Sequence, residues 1–214
     1  MVVEVSKKNV LPSKKFAYLH TDTTISYEVI GLLGMKGVIF TEFFEMVERE
    51  FGLEMLEQII DETNSFSNGS YTSVGTYEHI EIVGYAQALS RNTDTPLPDL
   101  VRHFGNYLAG SFHRGHSQHF DSCTGVFGML KNVDEHIHVD VRKLYPDAEL
   151  PVFSYQEISE ALFILDYEST RGFADLAQGL IEGVAKHYEE KIAITRVDRL
   201  LDGLHKSRFI ITRL

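Results

Sequence analysis

The 214-residue sequence predicts an α+β domain, with a helical front and an antiparallel back. Three observations predict it. Apolar residues recur at helical spacing from about 41 to 146. After Pro151 the pattern changes to short alternating, strand-like runs. One further helical stripe, Phe173 to Tyr188, interrupts those runs.

Residues 1–34 carry no clear period; Lys7, Lys8, Lys14, Lys15 and Pro12 lie in a polar stretch ahead of a weak strand-like segment. They are set apart as an N-terminal extension of 1–34, with the domain proper at 35–214. Phe43, Phe44, Val47 and Phe51, then Leu53, Met55, Leu56, Ile59 and Ile60, recur at helix spacing. Asn68-Gly69 marks a turn. Thr76 is expected to cap a helix running to about Ser90, with His79 at its third position. Pro96 and Pro98 restart a helix that carries Leu100, Val101, Phe104, Tyr107, Leu108 and Phe112. Another helix spans about Val126 to Tyr145 and stops at Pro146. Pro151 to Tyr155 and Ala161 to Tyr167 read as strands, as do Ile192 to Arg196 and Ser207 to Thr212. Phe173, Leu176, Ala177, Leu180, Ile181, Val184 and Tyr188 form the intervening helical stripe.

Composition narrows the class of function. A formal net charge of −11 argues against nucleic-acid or anionic-membrane binding, which call for basic surfaces. The lone Cys123 excludes an internal disulfide and any multi-cysteine zinc or iron–sulfur site, and it fits a reducing, cytoplasmic setting. No run reaches the roughly 18 apolar residues of a membrane helix. The apolar stretch from Ile25 to Phe40 is broken by Glu28, Lys36 and glycines, and the N-terminus lacks the order of a signal peptide.

Two segments carry candidate chemistry. In Tyr167-Glu168-Ser169-Thr170-Arg171, strand alternation turns Tyr167, Ser169 and Arg171 to one face. Two hydroxyls and a guanidinium fork there make an anion clamp on an otherwise acidic chain. Upstream lies Val133-Asp134-Glu135-His136-Ile137-His138-Val139-Asp140-Val141-Arg142. His136 and His138 point about 200° apart on a helix, so at most one faces a given pocket, and periodicity does not choose between them. His113, His116 and His119 suggest a metal site, but His113 and His119 diverge by about 120° on a helix. No carboxylate–histidine motif accompanies them, and a solvated helix end is the better reading.

Taken together, these segments resemble the haem nitric-oxide/oxygen-binding (H-NOX, HNOB) family, from Met35 to roughly Arg196. Gly179-Leu180-Ile181-Glu182-Gly183 matches the family at its own place. The resemblance implies the H-NOX fold, with haem b (iron protoporphyrin IX) buried between the helical subdomain and the sheet. It selects His138, seven residues before Tyr145, as the axial ligand of the iron. It assigns Tyr167, Ser169 and Arg171 to the haem propionates and Pro151 to distortion of the porphyrin. Ile39, Phe43, Leu108 and Leu176 fall at haem-contacting or distal positions. Many family members begin as Met35-Lys36-Gly37-Val38-Ile39-Phe40 does, so Met35 is a candidate natural start, with intact mass as the check.

Family members that hold oxygen carry a distal tyrosine five residues after the motif arginine; here that position is Leu176. The other polar partners are replaced by Phe43 and Leu108. Such a pocket disfavours oxygen and leaves nitric oxide, with carbon monoxide, as the expected gas. The resemblance further implies a non-enzymatic sensor in which nitric oxide releases His138. The porphyrin then relaxes against Pro151, and the helix around 126–145 shifts. The chain has no room for a kinase or cyclase of its own, so a histidine kinase or a diguanylate cyclase/phosphodiesterase in trans is the expected partner. The alternatives are an oxygen-binding haem protein of the same fold, a haem-free interaction domain, and a peroxidase-like enzyme built on Arg102-His103. A metal hydrolase at His113, His116 and His119 ranks last.

Overall fold

The computed structural model describes residues 34–146 and 148–214. The expectations for residues 1–33 lie outside the described residues. Strand β1 (Gly34–Lys36) leads into α1 (Gly37–Phe51) and α2 (Leu53–Glu62). Strand β2 (Thr76–Glu78) pairs antiparallel with β1, and α3 (His79–Thr93) and α4 (Leu97–Gly115) follow. The chain then forms α5 (Ser117–Asp121), α6 (Gly125–Asn132), a π-helical turn (Val133–Ile137) and α7 (His138–Leu144). Strands β3 (Val152–Ser159) and β4 (Leu162–Ser169) precede α8 (Ala174–His187), and β5 (Ile192–Leu201) and β6 (Leu204–Arg213) close the chain. The last four strands form one antiparallel sheet in the order β3-β4-β6-β5. The predicted α+β class and the order of its halves hold.

Two local expectations fail, each for a physical reason. Thr76 does not cap a helix. The short strand Gly34–Lys36 pairs with Thr76–Glu78, so the backbone stays extended through Glu78 and α3 begins at His79. The single helix expected from Val126 to Tyr145 is broken by the π turn at Val133–Ile137. A π turn inserts one extra residue and resets the facing of everything after it. By contrast, Asn68 and Gly69 both take positive φ, 46° and 75°, as a turn there requires. Pro96 and Pro98 open α4 as read from the sequence.

The core is in two parts. The helical part centres on Phe40, Phe43, Met46, Ile59, Tyr85, Leu89, Phe104 and Leu108. The sheet part centres on Phe127, Phe163, Leu165, Tyr167, Ile181, Phe209 and Ile211. Helices α4 and α8 join them at a close crossing. A Cβ on Gly179 would overlap the Arg102 carbonyl oxygen, and one on Gly105 would overlap that of Leu176. Glycine at both places lets the backbones meet, and it fixes where the first turn of α8, with Leu176, enters the helical half. A buried carboxylate fastens the 65–71 segment to α3. Glu81 accepts from the Tyr71 hydroxyl at 2.8 Å, from Ser67 N at 3.0 Å and from the Ser67 hydroxyl at 3.1 Å. Burial, and then its hydrogen bonds to the Tyr85 and Glu81 oxygens, hold the Tyr71 phenol far above its ordinary pKa, so it stays a donor.

Candidate haem site

A cavity of about 250 Å³ lies where β1, α1, α3 and α4 meet the β4–α8 connection. Met35, Ile39, Phe43, Ile82, Phe104 and Leu176 give it an apolar wall. Among the described residues no hydroxyl or amide side chain lines it, and Arg171 and Asp175 are the charged ones. Of the four expected haem-contacting positions, Ile39, Phe43 and Leu176 are on this wall. Leu108 is 1% exposed and packs into the same apolar core without reaching the cavity.

Tyr167, Ser169 and Arg171 come together at the β4–α8 connection, though not by strand alternation alone. Inward and outward residues alternate along β4, which buries Phe163, Leu165 and Tyr167. The strand ends at Ser169, and Arg171 sits beyond it in the bend leading to α8. Local hydrogen bonds shape that bend: Arg171 N donates to Ser169 Oγ at 3.1 Å, and Phe173 N donates to Tyr167 Oη at 3.2 Å. Each hydroxyl serves as an acceptor there, and the Ser169 hydroxyl also bonds that of Tyr167. Burial pushes the Tyr167 phenol above its ordinary pKa, with Arg171 among the opposing influences, so the donor is held neutral. The Arg171 side chain is 6% exposed. Its Nη2 donates to Gly34 O at 2.9 Å and to Glu149 Oε2 at 2.5 Å. Its Nε is buried with no hydrogen-bond partner.

The structure separates the two histidines that periodicity left open. His136 is exposed, whereas the His138 side chain is 13% exposed and stacks on Phe153, ring centres 5.6 Å apart. Phe153 in turn lies 5.7 Å from the Tyr167 ring, its register partner across β3 and β4. A chain of rings therefore runs from the candidate ligand to the clamp. His138 Nδ1 is buried without a hydrogen bond, and the nearest carboxylate oxygen, Asp134 Oδ1, is 3.7 Å away. Burial lowers the His138 pKa below its ordinary value and Arg142 lowers it further; Asp134 pulls the other way. The imidazole is thus held neutral, the form that donates a lone pair to a metal. His138 does not line the 250 Å³ cavity, and Pro151 stands half-buried just before β3.

These residues fit the group the sequence implies. A neutral buried imidazole, an idle buried guanidinium N–H, two hydroxyls and an apolar cavity are what an apolar macrocycle with two carboxylates and an axial position asks for. Sequence reasoning missed Phe153, Glu149 and Asp134. The inward alternation of β3 could have found Phe153, and the i, i+4 spacing to His138 could have found Asp134. No local pattern marks Glu149.

The other candidate clusters disperse. His103 is exposed and its Nε2 meets Glu50 Oε2 at 2.6 Å, while Arg102 faces Asp99 and Glu182. Neither lines the cavity, so they form no acid–base pair over it. His113 packs against His187, ring centres 4.0 Å apart, and His116 lies 6.3 Å from His119. Among the described residues, no group of three or more His, Cys, Asp or Glu is placed to hold a metal ion. No described helix is long and apolar enough to cross a membrane.

Comparison with known proteins defines the class first: the haem-NO-binding family model matches residues 36–196. The chain belongs to that family of haem-based gas sensors. Among solved structures it is similar to the Fe(II) unliganded H-NOX protein of K. algicida. That match has 36% identity and a TM-score of 0.78, and it covers 84% of this chain and 97% of that one. It is also similar to the H-NOX of Shewanella woodyi, solved with IWP-051 in the Fe(II)CO state, at 37% identity and a TM-score of 0.72 (84% and 95% covered). The S. oneidensis H-NOX in the Fe(II)NO state aligns at 26% identity and a TM-score of 0.77 (84% and 99% covered). No curated protein matches the chain.

Proposed function

We propose that this protein is a ferrous-haem sensor of nitric oxide that signals to a separate effector. The observation that carries the choice of gas is the cavity wall. Phe43 and Leu176 line the cavity at the positions the family resemblance matches to the polar residues of oxygen binders, and among the described residues no hydroxyl or amide side chain lines it. Bound oxygen is strongly polarised and loses most when such a donor is missing; nitric oxide loses little. When present, the haem supplies a ferrous iron with an open position for a diatomic gas.

The chain's own residues do the rest. His138, kept neutral by burial, would offer its lone pair to the iron. Tyr167, Ser169 and Arg171 would hold the propionates, and Pro151 would bear on the porphyrin. The element suited to move is the histidine helix: its π turn and α7 contribute no fully buried residue and touch the core mainly through the partly buried Val133, Ile137 and His138, so shifting it disturbs little core. The S. oneidensis relative is solved with nitric oxide on Fe(II), which supports that gas here. Partners of the expected kind are a histidine kinase or a cyclic-di-GMP enzyme, and the setting is cytoplasmic.

The test is the visible spectrum of the reduced protein exposed to air and, separately, to nitric oxide. The reading predicts a shifted spectrum with nitric oxide and no stable oxygenated form. A stable oxygenated spectrum would place the chain with oxygen binders instead.

A further inference from the structure

Arg171 already holds one carboxylate, and that carboxylate belongs to the chain. Glu149 places Oε2 on Arg171 Nη2 at 2.5 Å, and its Oε1 accepts from the Thr170 hydroxyl at 3.0 Å. With Gly34 O also on Nη2, both protons of that nitrogen are engaged. Nε carries its one proton into a buried site with no acceptor. In a guanidinium, Nε and Nη2 form one side-on fork, and a carboxylate seated there takes both prongs. Glu149 takes one prong and leaves the other idle, and its side chain is still 32% exposed while that of Arg171 is 6% exposed.

We propose that Glu149 is an internal counter-ion for the clamp, held there in the haem-free chain and displaced when a propionate arrives. This rests on the haem reading above. The exchange has a direction. The newcomer satisfies an N–H that is now buried and unpaired, whereas Glu149, a third exposed already, regains water. Glu149 also sits between α7 and Pro151. Its release therefore unties from Arg171 the segment that joins the histidine helix to the sheet. Loading the clamp thus loosens the tether of the element that carries His138. Glu149 is a positioning residue, acting on haem through Arg171.

The test uses the full chain, stripped of haem, as wild type, Glu149→Gln and Glu149→Ala. Uptake of haemin and of haemin dimethyl ester, whose carboxylates are blocked, is followed by stopped-flow absorbance. Removing the competitor should speed haemin uptake by about tenfold, the worth of roughly one net charge-assisted hydrogen bond. That gain should vanish with the dimethyl ester and in an Arg171→Ala background. Hydrogen exchange of the haem-free protein should rise at residues 148–150 in Glu149→Gln. Three outcomes overturn the proposal: unchanged uptake, slower uptake, or an equal gain with both porphyrins, which would signal general loosening. If wild type takes up neither porphyrin, the haem reading falls and this proposal with it. Normal wild-type uptake without a Glu149 effect sinks this proposal alone.

Discussion

Arg171 ties three parts of the chain together, and its removal has a calculable cost. Its guanidinium reaches Gly34 O in β1 and Glu149 ahead of β3, and its backbone N–H donates to Ser169 Oγ at the end of β4. Arg171→Ala deletes two side-chain hydrogen bonds that involve a charge, each worth about 1.5–3 kcal/mol. The Glu149 partner is about a third exposed, so its share is discounted for solvent. The sum is about 3 kcal/mol, which for a chain of this size lowers the melting temperature by roughly 6–12 °C. Under the proposed clamp, haem retention should fall as well, by roughly 10- to 100-fold. Arg142→Ala is the control: Arg142 is exposed on α7, and its loss should stay within about 0.5 kcal/mol. Thermal melts of the haem-free proteins and transfer of haem to an excess scavenger measure both effects. Equal losses in the two variants would refute the clamp.

Two further predictions concern the scaffold and its response to acid. Gly179→Ala forces a methyl group into the Arg102 carbonyl at the α4–α8 crossing, and should cost about 3 kcal/mol or more, read by urea unfolding; an unchanged midpoint would mean the helices separate freely. Acid should weaken the haem-free fold through His138, whose folded pKa lies below the ordinary 6.5 because burial disfavours its charged form. As pH falls below about 6.5 the unfolded chain binds the proton first, so stability is full above that value and is lost below it. His187, also lowered by burial and by His113, acts in the same direction. The urea midpoint should drop between about pH 7 and 5.5, and less steeply in His138→Ala; identical slopes would contradict the assignment.

The fold was legible in the sequence wherever one period ran uninterrupted. The stripe from Phe173 to Tyr188 became α8, and the alternation around Phe163 and Leu165 became β4. It was illegible where a partner distant in sequence decides the outcome. Thr76 reads as a helix cap until β1 pairs with it. The π turn before His138 leaves no mark in composition, yet the sense of facing along that helix depends on it. Of the site, the motif residues could be named through the family resemblance, while periodicity alone left His136 and His138 open. Glu149 could not, because only folding brings it across 22 positions to Arg171. Leu108 shows the limit of carrying a position over from a resemblance: it is buried in the right core but not on the cavity wall.

The central claim is that His138 is the residue through which the chain holds its iron. The direct measurement is the visible spectrum of dithionite-reduced His138→Ala, with and without added imidazole, beside His136→Ala. The account predicts that His138→Ala loses the native ferrous spectrum and that imidazole restores it, while His136→Ala keeps it throughout. A native spectrum in His138→Ala, with loss in His136→Ala, would move the ligand to His136 and contradict the account.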